Sequence, residues 1–76
     1  MIVHFDIMKG ELLAERCRTL EEAKLECLFH CWDPLDDYYI KETFTNEYGT
    51  GVLYFNTEGE HCDSIREAIL GRYNVE

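Results

Sequence analysis

Alternation opens the chain. In "IVHFDIM" the residues Val3, Phe5 and Ile7 point one way while His4 and Asp6 point the other, the period of a half-buried strand. Lys9-Gly10 reads as a two-residue turn, with Gly10 supplying the positive φ that such turns require. Pairing across it sets Ile7 against Leu12, Phe5 against Ala14 and Val3 against Arg16, so turn and pattern agree on a β-hairpin. A helix starting near residue 11 competes, because Leu, Ala, Glu and Arg favour helix; the hairpin is preferred.

The period then changes. Thr19-Leu-Glu-Glu22 has the spacing of a capping box and predicts a helix over about 20–32, stopped by Pro34. Residues 37–47 are rich in aromatic and β-branched types and predict a strand; "YGTG" turns the chain, and "VLYFNT" (52–57) returns it. The unbroken run Val52 to Phe55 suggests a strand covered on both faces or central in its sheet. Ser64 and Glu67 repeat the capping spacing near a second helix starting at about 62–64, with Ile65, Ala68 and Ile69 as its buried stripe and Gly71 as its C′ glycine. The order is ββαββα. The expected architecture is α+β: one domain over residues 1–76, a four-stranded antiparallel sheet with both helices on one face.

The first helix does not fit a single buried face. At 100° per residue Leu20, Ala23, Cys27 and Cys31 make one stripe, while Leu25, Phe29 and Trp32 make a second more than 90° away, with Leu28 between them. Glu22, Glu26 and His30 form a narrow polar strip. Either the second helix covers the extra stripe, or it meets another chain.

Charge sharpens that choice. Sixteen acidic residues against seven basic give a formal net charge of −9 in 76 residues. Nucleic acids and anionic membranes are therefore not expected as direct partners, since phosphate binding rests on Lys and Arg. A protein with a basic surface would be attracted, although the same charge also keeps a small domain soluble. Asp33, Asp36 and Asp37 stand beside Trp32, Tyr38 and Tyr39 in the connection after the first helix, an arrangement suited to a basic surface. Glu58, Glu60 and Asp63 form a second acidic patch near the second helix, where acids also complement the helix dipole. No basic leader or 20-residue apolar run is present, so a cytoplasmic location with reduced cysteines is expected.

The candidate chemistry centres on "CLFHC" (27–31). Cys27 and Cys31 lie one turn apart, and His61 or Cys62 would complete a tetrahedral zinc site. Against this, the pair lies on a helix core stripe instead of in a knuckle loop, and reduced cysteine commonly behaves as a small buried hydrophobe. A Cys27–Cys31 disulfide would strain the helix, since its Cβ atoms stand about 5–6 Å apart. Cys62 beside His61 near a helix start is the best nucleophile candidate, but sequence neighbours seldom share a geometry. No phosphate-cradling glycine loop is present. Neither an enzyme nor a cofactor is expected.

The preferred reading is thus a protein-binding module whose partner-binding residues are Leu25, Phe29, Trp32, Asp33, Asp36, Asp37, Tyr38 and Tyr39. In size and charge the whole chain resembles the small acidic inhibitors encoded by phages and mobile elements, including anti-CRISPR and DNA-mimic proteins. That resemblance implies steric occupation of a nucleic-acid-binding surface on a partner protein. The alternatives are a zinc-binding or thiol-switch domain using Cys27, Cys31, His61 and Cys62, and a homodimer joined through Leu25, Phe29 and Trp32.

Overall fold

The computed structural model describes residues 2–30 and 37–70. Its elements are β1 (Ile2–Lys9), β2 (Leu12–Cys17), α1 (Leu20–His30), β3 (Tyr38–Asn46), β4 (Gly49–Phe55), β5 (His61–Cys62) and α2 (Ile65–Leu70). The strands form one antiparallel sheet in the order β2-β1-β3-β4-β5. The α+β class stands, with five strands instead of four; the fifth is a two-residue strand that pairs Cys62 with Tyr54 and His61 with Phe55.

The first hairpin forms, but its turn sits one residue later than expected. Gly10 and Glu11 make the turn between Lys9 and Leu12, with Gly10 at φ +62 and Glu11 not at positive φ. Glycine at the first central position suits a type II′ connection, whose twist matches that of the strands. A bulge at Ile7/Met8 then shifts the register, so Ile7 faces Glu15, Asp6 faces Arg16 and Phe5 faces Cys17. This offset turns Asp6 into a partner for Arg16: the Arg16 Nε donates to Asp6 Oδ1 at 2.9 Å and Nη2 to Oδ2 at 3.2 Å. Asp6 is buried, and this forked pairing satisfies its carboxylate.

Both capping signals operate. The Thr19 hydroxyl accepts from the Glu22 amide at 3.0 Å and Ser64 Oγ from the Glu67 amide at 3.1 Å. Glu67 reaches back one residue further than a capping box requires, accepting from the Asp63 amide at 3.1 Å. The second helix begins at Ile65, later than expected, because His61-Cys62 join the sheet first; Ile65 is exposed, while Ala68 is fully buried. The roles assigned to Pro34 and Gly71 lie outside the described residues.

The two helices take opposite faces of the sheet, which corrects the expected arrangement. Alternation along the strands separates two clusters. On one face Ile7, Cys17, Tyr38, Ile40 and Phe55 pack with Ala23 and Cys27 of α1, with Phe5 and Leu20 at their margin. On the other, Met8, Tyr39 and Cys62 pack with Ala68 of α2, flanked by Tyr54 and Ile69. The end of β4 serves both layers, with Phe55 on the α1 face and Tyr54 on the α2 face, whereas Val52 and Leu53, expected to be covered with them, stand exposed. The core is therefore two thin layers sharing one sheet. Among the described residues no second helix covers the outer side of α1.

Candidate partner-binding face

The outer side of α1 is built by a simple count. Ala23 and Cys27 are buried against the sheet, so the residues a third to half a turn away project outward. Leu25, Leu28 and Phe29 stand 60%, 76% and 65% exposed, three large apolar side chains within two helical turns. Acids surround them: Glu21 and Glu22 are exposed in the first turn, and Glu26 is half-buried. Helix-on-helix packing, the other reading of this stripe, is removed by the position of α2 across the sheet.

A loop rises beside this face. Asn56 organises the connection between β4 and β5. Its Oδ1 accepts from the Glu58 and Glu60 amides, each at 2.9 Å, and its Nδ2 donates to Glu60 Oε1 at 2.9 Å. Its backbone closes the same turn, with the Asn56 amide donating to Glu60 O and the Gly59 amide to Asn56 O, both at 3.0 Å. Gly59 sits at φ +87, and a Cβ there would overlap the stem of Lys24, which packs across it. That contact brings the loop against α1. Between them lies an open groove of about 310 Å³ lined by Glu21, Lys24, Leu25, Leu28, Thr57 and Glu58. Leu25 and Leu28 give it aliphatic lining, Glu21 and Glu58 bring an acidic residue from each side, and the Lys24 ammonium stands 3.6 Å from Glu21 Oε1.

The residues expected to bind a partner are distributed unevenly. Leu25 and Phe29 lie on this face, and Asp37 is exposed immediately before β3. Trp32, Asp33 and Asp36 lie outside the described residues. Tyr38 and Tyr39 belong to the interior: Tyr38 packs in the α1 cluster, and Tyr39 packs in the α2 cluster while donating its hydroxyl to Gly10 O at 3.0 Å. Strand alternation sends these neighbours to opposite faces, where each meets a helix, so neither ring forms a contact surface. Leu28 was missed as a surface residue because it falls between the two stripes. Thr57 was missed, and Glu58 was read only as part of an acidic patch near the second helix, because their approach to α1 is a tertiary contact; a further sequence signal was Asn56 at the head of "NTEG", a turn-forming arrangement.

The cysteine and histidine constellation is dispersed. Cys27 packs on the α1 face and Cys62 on the α2 face, with the sheet between them, and Cys31 lies outside the described residues. His61 stacks edge-on to Phe55 at 5.8 Å, facing away from its neighbour Cys62. Among the described residues no group of three or more His, Cys, Asp or Glu could hold a metal ion. The buried thiols are also unsuited to attack. Burial, followed by the charges of Glu22 and other acids, pushes Cys17 up to about 11. Burial also raises Cys62, whose Sγ donates to Glu60 O at 3.4 Å. Among the described residues no helix is long and apolar enough to cross a membrane.

Compared with known proteins, the chain matches no family model, no curated protein and no solved structure.

Proposed function

We propose that this chain is a non-enzymatic, acidic protein-binding module that occupies a basic, nucleic-acid-binding surface of a partner protein. It would act as small phage-encoded anti-CRISPR and DNA-mimic inhibitors do, by steric occupation. The observation that carries the reading is the outer face of α1, where Leu25, Leu28 and Phe29 are exposed together inside an acidic surround on a chain of net charge −9. Apolar residues grouped in this way serve as anchors, and the carboxylates around them supply steering and register. Asp37 extends the acidic surface, and Trp32, Asp33 and Asp36 are assigned to it from the sequence. A second copy of the chain is disfavoured as the occupant, because two bodies of charge −9 repel.

Immobilised protein exposed to host lysate tests the reading when capture is repeated with rising salt and with added duplex DNA. The expected result is a captured protein that binds nucleic acid and is released by both salt and DNA. Capture indifferent to both would contradict the proposal, and stoichiometric metal that the fold cannot lose would favour the zinc alternative.

A further inference from the structure

We infer that the groove between α1 and the β4–β5 loop receives an arginine side chain from the partner. This rests on the functional reading above and names the chemistry its anchor pocket takes. Leu25 and Leu28 line the groove with aliphatic surface, which matches the three-methylene stem of arginine. Glu21 lines it from the helix side and Glu58 from the loop side. Among the described residues no cation pairs with Glu58, while Glu21 is only loosely held by Lys24 at 3.6 Å. A planar guanidinium with five N–H donors can engage carboxylates on two sides, whereas a lysine ammonium is compact and strongly hydrated. A purely aliphatic occupant would leave both acids unused.

The loop keeps its side of the groove in place. The Glu58 amide is fixed on Asn56 Oδ1, and the Lys24 stem lies across Gly59. Lys24 therefore has a defined part: its stem helps shape the groove, and its ammonium competes with an incoming guanidinium for Glu21. Stem and ammonium make opposite contributions to binding.

The test is a nitrogen-15 NMR titration of the intact chain at low salt with blocked arginine (Nα-acetyl-arginine methylamide), and in parallel with blocked lysine and blocked citrulline. Blocked arginine should give saturable shifts concentrated at residues 21–28 and 57–59. Lysine should bind more weakly and citrulline, which has the shape without the charge, should not bind. Glu58→Gln should weaken arginine binding by about two- to fivefold, and Lys24→Met, which keeps an unbranched apolar stem of similar length without the charge, should strengthen it by a similar factor. Shifts scattered over the acidic surface and equal for arginine and lysine would overturn the inference. So would weaker binding in Lys24→Met, a variant whose outcome does not depend on Glu58→Gln folding. If the groove fails this test while a salt-sensitive partner still binds, the occupant is wrong and the functional reading survives. If no basic partner engages the face at all, the functional reading falls first.

Discussion

Replacing Leu25, Leu28 and Phe29 together by glutamine separates a surface role from a core role. Exposures of 60%, 76% and 65% mean that only a quarter to two fifths of each residue is removed from water by folding. Fully burying Leu or Phe is worth about 1.5–3 kcal/mol, so each of these contributes roughly 0.5–1 kcal/mol. The triple substitution should cost about 2 kcal/mol, and that is an upper figure because unfolded chains already bury some apolar surface. Glutamine is close to leucine in helix propensity, so the helix itself adds little to the change. Were the three residues packed as core, each would cost about 2–5 kcal/mol and the domain would not survive their joint loss. Urea denaturation followed by circular dichroism reads the difference as a shift in midpoint at constant slope. Ile40→Ala, at a position with no exposure, is the control and should alone cost about 2–5 kcal/mol. A triple variant that fails to fold, or that loses more than Ile40→Ala, would refute the placement of this face at the surface.

Other consequences follow from the two core layers. Cys17 should react very slowly with a thiol reagent at pH 8, because burial holds it protonated up to about 11. Since its native value lies above its ordinary value of 9.0, the native state retains the proton that the unfolded state loses. Stability from this group is intact below pH 9 and falls, by about 2–3 kcal/mol in all, as pH rises from 9 to 11. Cys17→Ala should flatten that part of a stability–pH curve; an unchanged curve would count against the burial. Asp6 is buried while Arg16 is half-exposed, so Arg16→Gln, which strands a charge, should lower the urea midpoint more than Asp6→Asn, which removes it. The reverse order would show that the pair is not held as described. Gly59→Ala places a Cβ at φ +87 against the Lys24 stem and should cost about 1–2 kcal/mol while shifting the NMR signals of both Lys24 and Glu58. Shifts confined to the loop would disprove the loop–helix contact.

The local signals were well written in the sequence. Thr19 and Ser64 mark the helix starts with the hydrogen bonds their spacing implied, and alternation identified β1. What was misjudged depends on tertiary pairing. The later turn and the bulge at Ile7/Met8 leave no composition signature, yet together they decide that Arg16 meets Asp6 instead of Val3. Of the run Val52 to Phe55, Tyr54 and Phe55 pack on opposite faces while Val52 and Leu53 stay exposed, so only its end bore the covering the run implied, and that end conflicted with the expectation of two helices on one side. The site divides in the same way. Leu25 and Phe29 were visible as a stripe that a one-faced helix could not explain. Tyr38 and Tyr39 were misplaced because aromatic residues beside acids resemble a recognition loop until the strand boundary is fixed at Tyr38.

The central claim is that a basic partner is attracted by the acidic surface and anchored on the outer face of α1. The most direct test measures the dissociation constant of the captured partner against salt, for the natural chain and for the Leu25, Leu28 and Phe29 triple glutamine variant. The natural chain should give affinity that falls steeply with salt. The variant should give a line of the same slope displaced by about a hundredfold or more, since it lacks the anchors but keeps every carboxylate. Affinity independent of salt, or a variant that binds as tightly as the natural chain, would contradict the account.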